Sequence, residues 1–357
     1  MTIHEIILAG PLAMPELLDV FGLHGKQETL SGQLSGGADA GLGGDWPAWQ
    51  AGAGRIAAMR VTDTPSLRRY LQIMALKPKS VYEHDVWGLG EGNGADWSAD
   101  RVVLMAYVAQ AVLARPADWD PGRIAARLPR IAEIAAGRLR VVAGSAPTAL
   151  LPAPDPDRTE ITARHERYGR YFSLEEITLR HRRFDGGWSA ALDREVFISA
   201  DAALLLPYDP MRDCVLLISQ FRVGPLARGD KQCWMLEPIA GRIDAGETAA
   251  DAARREAVEE AGLTVGGLYA LPGHYPTPGA NSEFFYPFVA VTDLSRHESR
   301  QGFGLEDEGE DISTHIISRK ELVSLVMEGQ LQCGPLNFMA LWLDRNADQI
   351  RSELAGT

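Results

Sequence analysis

Between Gly241 and Leu263 the chain reads Gly-Arg-Ile-Asp-Ala-Gly-Glu-Thr-Ala-Ala-Asp-Ala-Ala-Arg-Arg-Glu-Ala-Val-Glu-Glu-Ala-Gly-Leu, an order that few local structures accommodate. Gly241 and Gly246 permit the bends of a tight loop. A helix is expected from Glu247 to Ala261: Glu247 suits the positive end of its macrodipole, and Gly262 suits the left-handed residue that ends it. Glu256, Glu259 and Glu260 then stand at i, i+3 and i+4 and share one face. Three carboxylates so close repel one another, so the face is either a solvated acidic surface or the holder of a positive charge. A hard divalent cation, Mg²⁺ or Mn²⁺, is the fitting occupant, because it prefers oxygen ligands and keeps waters that a phosphate can displace.

The charge of the whole chain points the same way. Its 357 residues carry a net charge of -13, and the segment from Glu256 onward holds 16 acidic against 6 basic side chains. An acidic balance repels phosphate backbones and anionic lipid, which argues against nucleic-acid or membrane-surface binding as the main role. Apolar runs such as Val102 to Val112 fall short of the roughly 20 residues that cross a bilayer, and Met1-Thr2-Ile3-His4-Glu5 lacks a basic leader. A cytoplasmic protein is expected, with Cys214, Cys233 and Cys333 reduced and structural.

The length suggests two domains, and a turn-forming run rich in Pro and Ala, from Ala143 to Arg158, divides two patterns. We expect a domain over 1–142, a linker over 143–160 and a second domain over 161–357. In the first, Ile3 to Leu8, Arg55 to Val61 and Ser80 to Trp87 read as strands, and Pro15 to Phe21 and Pro65 to Leu76 as helices. Trp97 to Leu113 and Gly122 to Leu139 are expected as helices capped by Ser98 and Asp120, and Gly32 to Gly54 as an irregular glycine-rich loop. In the second domain Tyr171 to Phe184, Arg194 to Ser199, Ala202 to Pro207 and Cys214 to Phe221 read as strands, with turns at Asp185-Gly186-Gly187 and Asp209-Pro210. Helices over Arg319 to Met327 and Pro335 to Leu354 close the chain.

The spacing of Gly241, Glu247, Arg255, Glu256, Glu259, Glu260 and Gly262, with apolar Ala257 and Leu263, resembles the Nudix hydrolase signature Gly-x5-Glu-x7-Arg-Glu-U-x-Glu-Glu-x-Gly-U at every fixed position. The resemblance implies an α+β chain whose second domain is a Nudix α/β/α sandwich hydrolysing a nucleoside diphosphate linked to a group X. Over about Ala163 to Ile350 the chain resembles the ADP-ribose pyrophosphatase branch, through Gln220-Phe221-Arg222, Glu237-Pro238-Ile239-Ala240, Thr277-Pro278-Gly279 and the acidic stretch Gly304 to Ile312. By that likeness the Ala240 carbonyl, Glu256, Glu259, Glu260 and Glu310 hold two or three Mg²⁺ ions, Mn²⁺ being an alternative. Glu308 resembles the general base and completes the catalytic set with Glu256 and Glu260. Arg194 and Arg222 match phosphate-holding arginines, and Glu283 a substrate-side glutamate. For Arg194 a surface salt bridge is the plainer alternative, and for Glu308 a solvated turn. Tyr171 or Phe172 falls where the branch stacks adenine, with ordinary strand packing the alternative. Glu247 and Arg255 are expected to orient loop and helix. The branch also implies a homodimer with exchanged N-terminal strands of this domain, and products AMP and ribose 5-phosphate.

The first 115 or so residues resemble a γ-glutamylcyclotransferase-like fold through Ala9-Gly10-Pro11-Leu12 and Pro15-Glu16-Leu17-Leu18. Ala9 replaces the family's tyrosine, and the Leu67 to Leu76 helix carries no acid, so a non-catalytic scaffold is expected. The pairing is also similar to Nudix proteins associated with tellurite resistance. Two readings compete with a metal-dependent pyrophosphatase: a metal-independent γ-glutamyl cyclotransferase in the N-terminal half, and a Nudix sensor that binds a nucleotide without cleaving it.

Overall fold

The computed structural model describes residues 4–151, 153–299, 302–305 and 309–355, and the chain falls into two units, Met1–Asp155 and Pro156–Thr357. The first unit has strands β1 Glu5–Ala9, β2 Gly25–Ser35, β3 Ala48–Thr62, β4 Lys79–Val81 and β5 His84–Trp87. They form one sheet in the order β2-β3-β1-β5-β4, with β1 parallel to β5 and the other neighbours antiparallel. Its helices are α1 Pro15–Val20, α2 Pro65–Ile73, α3 Val102–Leu113, α4 Pro121–Ala125 and α5 Leu128–Ala143.

Four expectations in this unit are corrected, the first being the cap at Ser98, whose side chain makes no cap hydrogen bond: a 3-10 turn, Ala99–Arg101, follows it and α3 opens at Val102. Gly32 to Gly54 is not one irregular loop: β2 and β3 enter it from either end as a long hairpin. Its small residues read as turn chemistry, but cross-strand pairing decides, and Gly32 marks a bulge at φ +136° where a Cβ would lie 2.2 Å from Trp49 Nε1. The expected helix over Gly122 to Leu139 is two: Asp120 caps α4 by accepting from Arg123 N–H, and the chain breaks at Arg127 before Pro129 sits in the first turn of α5. Ser80 to Trp87 is likewise a hairpin, with Tyr82 at φ 52° between β4 and β5.

In the second unit β6 Thr159–Gly169, β7 Ser173–His181 and β8 Leu192–Ile198 form an antiparallel three-stranded sheet. The β7–β8 turn is the expected one, with Gly186 at φ +85° and Asp185 accepting from Gly187 N–H. Strands β9 Ala202–Asp209, β10 Cys214–Phe221, β11 Trp234–Glu237, β12 Ile239–Arg242, β13 Leu268–Ala270, β14 Phe285–Val291, β15 Gly302–Phe303 and β16 Ile312–Ser318 make the second sheet. Its backbone order is β13-β14-β9-β10-β16-β15, with β11 beside β10 and β12 beside β9. Helices α6 Val223–Arg228, α7 Ala249–Ala261, α8 Arg319–Met327 and α9 Gly334–Ala355 complete the unit.

Alternation along the central strands assigns each face of this sheet to a helix layer. Leu204, Leu206, Tyr208, Val215 and Leu217 pack with Leu322 of α8 and Leu336, Met339 and Leu343 of α9. Ala203, Leu205, Leu216 and Ile218 pack with Ala252, Ala253 and Ala257 of α7. Strand β9 is buried along its whole length, which is why its sequence is an unbroken apolar run. The result is the expected α/β/α sandwich within an α+β chain.

Candidate active site

The site is assembled by β12, the loop after it and α7. Strand β12 is held by β9, with Ala240 opposite Leu204 and Gly241 opposite Ala203. Thr248 caps α7, accepting from Asp251 N–H at 3.1 Å, and Gly262 ends the helix at φ +60°. These caps fix the helix so that its carboxylates meet β12. Ala240 N–H donates to Glu260 at 3.0 Å. A Cβ on Gly241 would lie 1.7 Å from Glu256 Oε1, so only glycine lets that carboxylate rest against the strand.

Arg255 ties the loop to the helix. It donates to both Glu247 oxygens at 3.1 Å, to Glu256 at 2.7 Å, to Glu259 at 3.1 Å and to the Arg242 carbonyl at 2.9 Å. Burial alone would lower its pKa, but these carboxylates outweigh it and the guanidinium is held charged. Glu247 Oε2 also accepts from Asp244 N–H at 3.1 Å, closing the loop.

The carboxylates crowd one another. Burial, reinforced by the charges of Glu259 and Glu310, pushes Glu256 up to about 7 against the opposing pull of Arg255. Glu260 is 2% exposed. Burial, with the charges of Glu256 and Glu310, pushes it up to about 8, although the Ala240 N–H and Arg222 favour its ionised form. Glu310 therefore faces both box glutamates, and its own carboxylate accepts from Leu305 N–H at 3.3 Å. Glu308 lies outside the described residues.

Arg222 follows β10 and donates to Glu237 at 3.0, 3.0 and 2.6 Å. Arg194 is exposed on β8, where its guanidinium donates to the Asp193 carbonyl at 2.9 Å, and among the described residues it makes no hydrogen bond or ion pair with residues 241–262. Glu283 is pushed up by burial, with Arg242 opposing, and accepts from Ser199 at 3.4 Å and Asn281 at 3.3 Å. Tyr171 and Phe172 form an edge-to-face pair with centroids 4.9 Å apart. The Arg242 guanidinium lies 4.2 Å from the Tyr171 centroid and 5.4 Å from that of Phe172. Sequence reasoning missed Arg242, which occupies a variable position of the signature; an arginine directly after the box glycine was the available signal.

Among the described residues no three His, Cys, Asp or Glu side chains stand ready-gathered in ligating geometry, since Arg255 draws Glu256 and Glu259 and the Ala240 N–H holds Glu260. The donor set still fits a hard divalent cation. It consists of oxygens, and ionisation of Glu256 and Glu260 is disfavoured by burial and by neighbouring carboxylates, a cost that a cation would relieve.

Fold and site define a class: an α/β/α sandwich presenting an acidic strand–loop–helix of the kind that handles phosphoanhydrides. The model of the NUDIX domain matches residues 199–330. Over 196 residues, 55% of this chain and 92% of the relative, the sequence is 38% identical to the ADP-ribose pyrophosphatase of Escherichia coli. It is 32% identical to that of Haemophilus influenzae over 194 residues, 54% of this chain and 88% of the relative. To the GDP-mannose pyrophosphatase of an Enterobacter species it is 33% identical over 165 residues, 46% of this chain and 83% of the relative. The chain belongs to the Nudix family.

Proposed function

We propose that the chain hydrolyses the pyrophosphate bond of a nucleoside diphosphate sugar, with ADP-ribose, cleaved to AMP and ribose 5-phosphate, as its substrate. The observation that carries this is the Gly241–Glu256 approach beside the buried Glu260, which gathers oxygen donors where a diphosphate needs its charge neutralised. The longer matches to the ADP-ribose pyrophosphatases than to the GDP-mannose enzyme, and the higher identity to that of Escherichia coli, support the choice of substrate.

The Ala240 carbonyl, Glu256, Glu259, Glu260 and Glu310 would hold two or three Mg²⁺ ions, which would supply positive charge to the phosphate oxygens and to the attacking water. Glu308 takes a proton from the attacking water as its oxygen bonds to phosphorus, and the bridging P–O bond breaks with its electron pair leaving on the second phosphate. Arg222 and Arg194 hold phosphate oxygens, Glu283 contacts X, and Tyr171 and Phe172 offer a surface to the base. Glu247 and Arg255 keep loop and helix in register. Exposed Ile161, Tyr168 and Phe197 on the three-stranded sheet support a homodimer formed through those strands. In this reading 1–142 is a γ-glutamylcyclotransferase-like scaffold, 143–160 a linker, and the protein works in the cytoplasm.

The test is a panel of ADP-ribose, GDP-mannose, NADH and FAD, with and without Mg²⁺, with products resolved. AMP from ADP-ribose, abolished in Glu256→Gln, Glu259→Gln and Glu260→Gln, is the expected result. Full activity in all three variants, or turnover confined to nucleoside triphosphates, would sink it.

A further inference from the structure

Within Gln220-Phe221-Arg222, only Arg222 has a part in the mechanism above. Gln220 is 6% exposed, and its amide nitrogen has no hydrogen-bond partner among the described residues. A buried donor left unpaired weakens the fold, so a native structure that keeps one calls for a partner beyond the described residues.

The strand places that donor. Val215 and Leu217 of β10 face the α9 layer, while Cys214, Leu216 and Ile218 face α7. Gln220 continues the α7-facing row between Ile218 and Arg222. Ile218 shares its cluster with Ala253 and Ala257 of α7 and with Ile312, which opens β16 two residues after Glu310. Arg222 feels the charge of Glu260. Gln220 therefore follows the apolar row on the face of β10 that leads on to Arg222 and the charge of Glu260. Arg222 gives its Nε and Nη2 to Glu237, which leaves Nη1 for a phosphate oxygen, and Arg255 is tied to Glu247, Glu256 and Glu259. A neutral amide can donate there without pairing to a glutamate, and a diphosphate brings acceptor oxygens.

We propose that the Gln220 amide is a substrate-positioning group that donates to a phosphate oxygen of the bound nucleoside diphosphate. The inference rests on the diphosphatase reading and adds a residue to it. Its signature is an opposition between stability and function. Removing an orphaned donor relieves the free protein, whereas removing a phosphate contact harms the complex.

Gln220→Met keeps the length of the side chain without the donor, and Gln220→Leu is carried beside it. Thermal unfolding is measured in metal-free protein, kcat/KM with ADP-ribose and Mg²⁺, and the affinity for inorganic pyrophosphate with Mg²⁺ by calorimetry. The expected result is a melting temperature equal to or above wild type, with kcat/KM and pyrophosphate affinity each lower by about tenfold to a hundredfold. Lower melting temperatures in both variants mean that a water satisfies the amide in the free enzyme, and overturn the proposal; so does unchanged kcat/KM. Wild-type protein that cleaves no nucleotide sugar sinks the functional reading alone if pyrophosphate binding still weakens in Gln220→Met. Pyrophosphate binding that is equal in the two proteins, or absent from both, overturns the proposal.

Discussion

Glu260 holds its proton to a pH where an ordinary carboxyl is fully ionised, and that has a stability consequence. Unfolded, a glutamate titrates near about 4.3, whereas in the metal-free fold burial and the charges of Glu256 and Glu310 push Glu260 up to about 8. Between those values the folded state binds more protons, so stability falls as pH rises through them. Glu260→Gln stays neutral throughout and still offers an oxygen to Ala240 N–H. Without metal it is expected to exceed wild type by about 1–3 kcal/mol above pH ~8, with the gap closing toward pH ~5. Melting curves across that range check this, and parallel curves for the two proteins would contradict it. Gly241→Ala acts on the neighbouring carboxylate. The added Cβ would lie 1.7 Å from Glu256 Oε1, so Glu256 must move, and displacement of a catalytic group by about 1 Å costs on the order of a hundredfold in turnover. A folded Gly241→Ala protein with wild-type kcat/KM would show that Glu256 need not rest on β12.

At the scale of elements, α7 and its loop were legible because their signals are local, two glycines, helix formers and a terminal glycine within about twenty residues, although Thr248 caps the helix and Glu247, expected in its first turn, lies before the cap. Strands β9 and β10 were legible for a related reason, since a fully buried strand leaves a compact apolar run bounded by a turn. That turn is built as its residues suggest, with Asp209 accepting from Met211 N–H at 3.0 Å and Arg212 N–H at 3.1 Å. Other strands depend on partners distant in sequence. Strand β14 carries Pro287, β6 is largely exposed and polar, and β16 mixes Ser, Thr and His with Ile, so pairing rather than pattern makes them strands. The same limit hid Arg242 at the site, because only the fold brings Tyr171 to it. The β9–β10 turn is also tied to α8. Asp213, at φ 50°, accepts from Arg319 at 2.8 and 3.0 Å and from Tyr208 at 2.9 Å. Burial raises its pKa, but these donors and the charge of Arg351 outweigh it and hold Asp213 below the usual carboxylate range. Its contribution is present above the unfolded pKa and is lost as pH falls through the folded one. Asp213→Asn should therefore cost about 1–2 kcal/mol at neutral pH and approach wild type below pH ~3. Urea titrations at the two pH values measure that difference.

At the scale of the molecule, the unit Met1–Asp155 and the unit Pro156–Thr357 each have a core of their own. The first includes Ile7, Ala9, Leu30, Ile56, Val81 and Val86. The second has the two layers that sandwich β9 and β10. The proposed cation site draws all of its oxygen donors from the second unit, which also carries the densest acid of the chain. Apart from metal, that acid works against the fold; with metal, the same carboxylates become ligands and the local field turns favourable to a phosphate. Scanning calorimetry is therefore expected to resolve two unfolding transitions. Saturating Mg²⁺ should raise one of them by several degrees and leave the other in place, since a ligand stabilises the state that binds it by RT ln(1 + [L]/Kd). The raised transition should be the one that Glu260→Gln alters in the absence of metal. A single transition that Mg²⁺ shifts as a whole would mean that the two cores unfold together, and a Mg²⁺ shift retained undiminished in Glu260→Gln would place the cation away from the box.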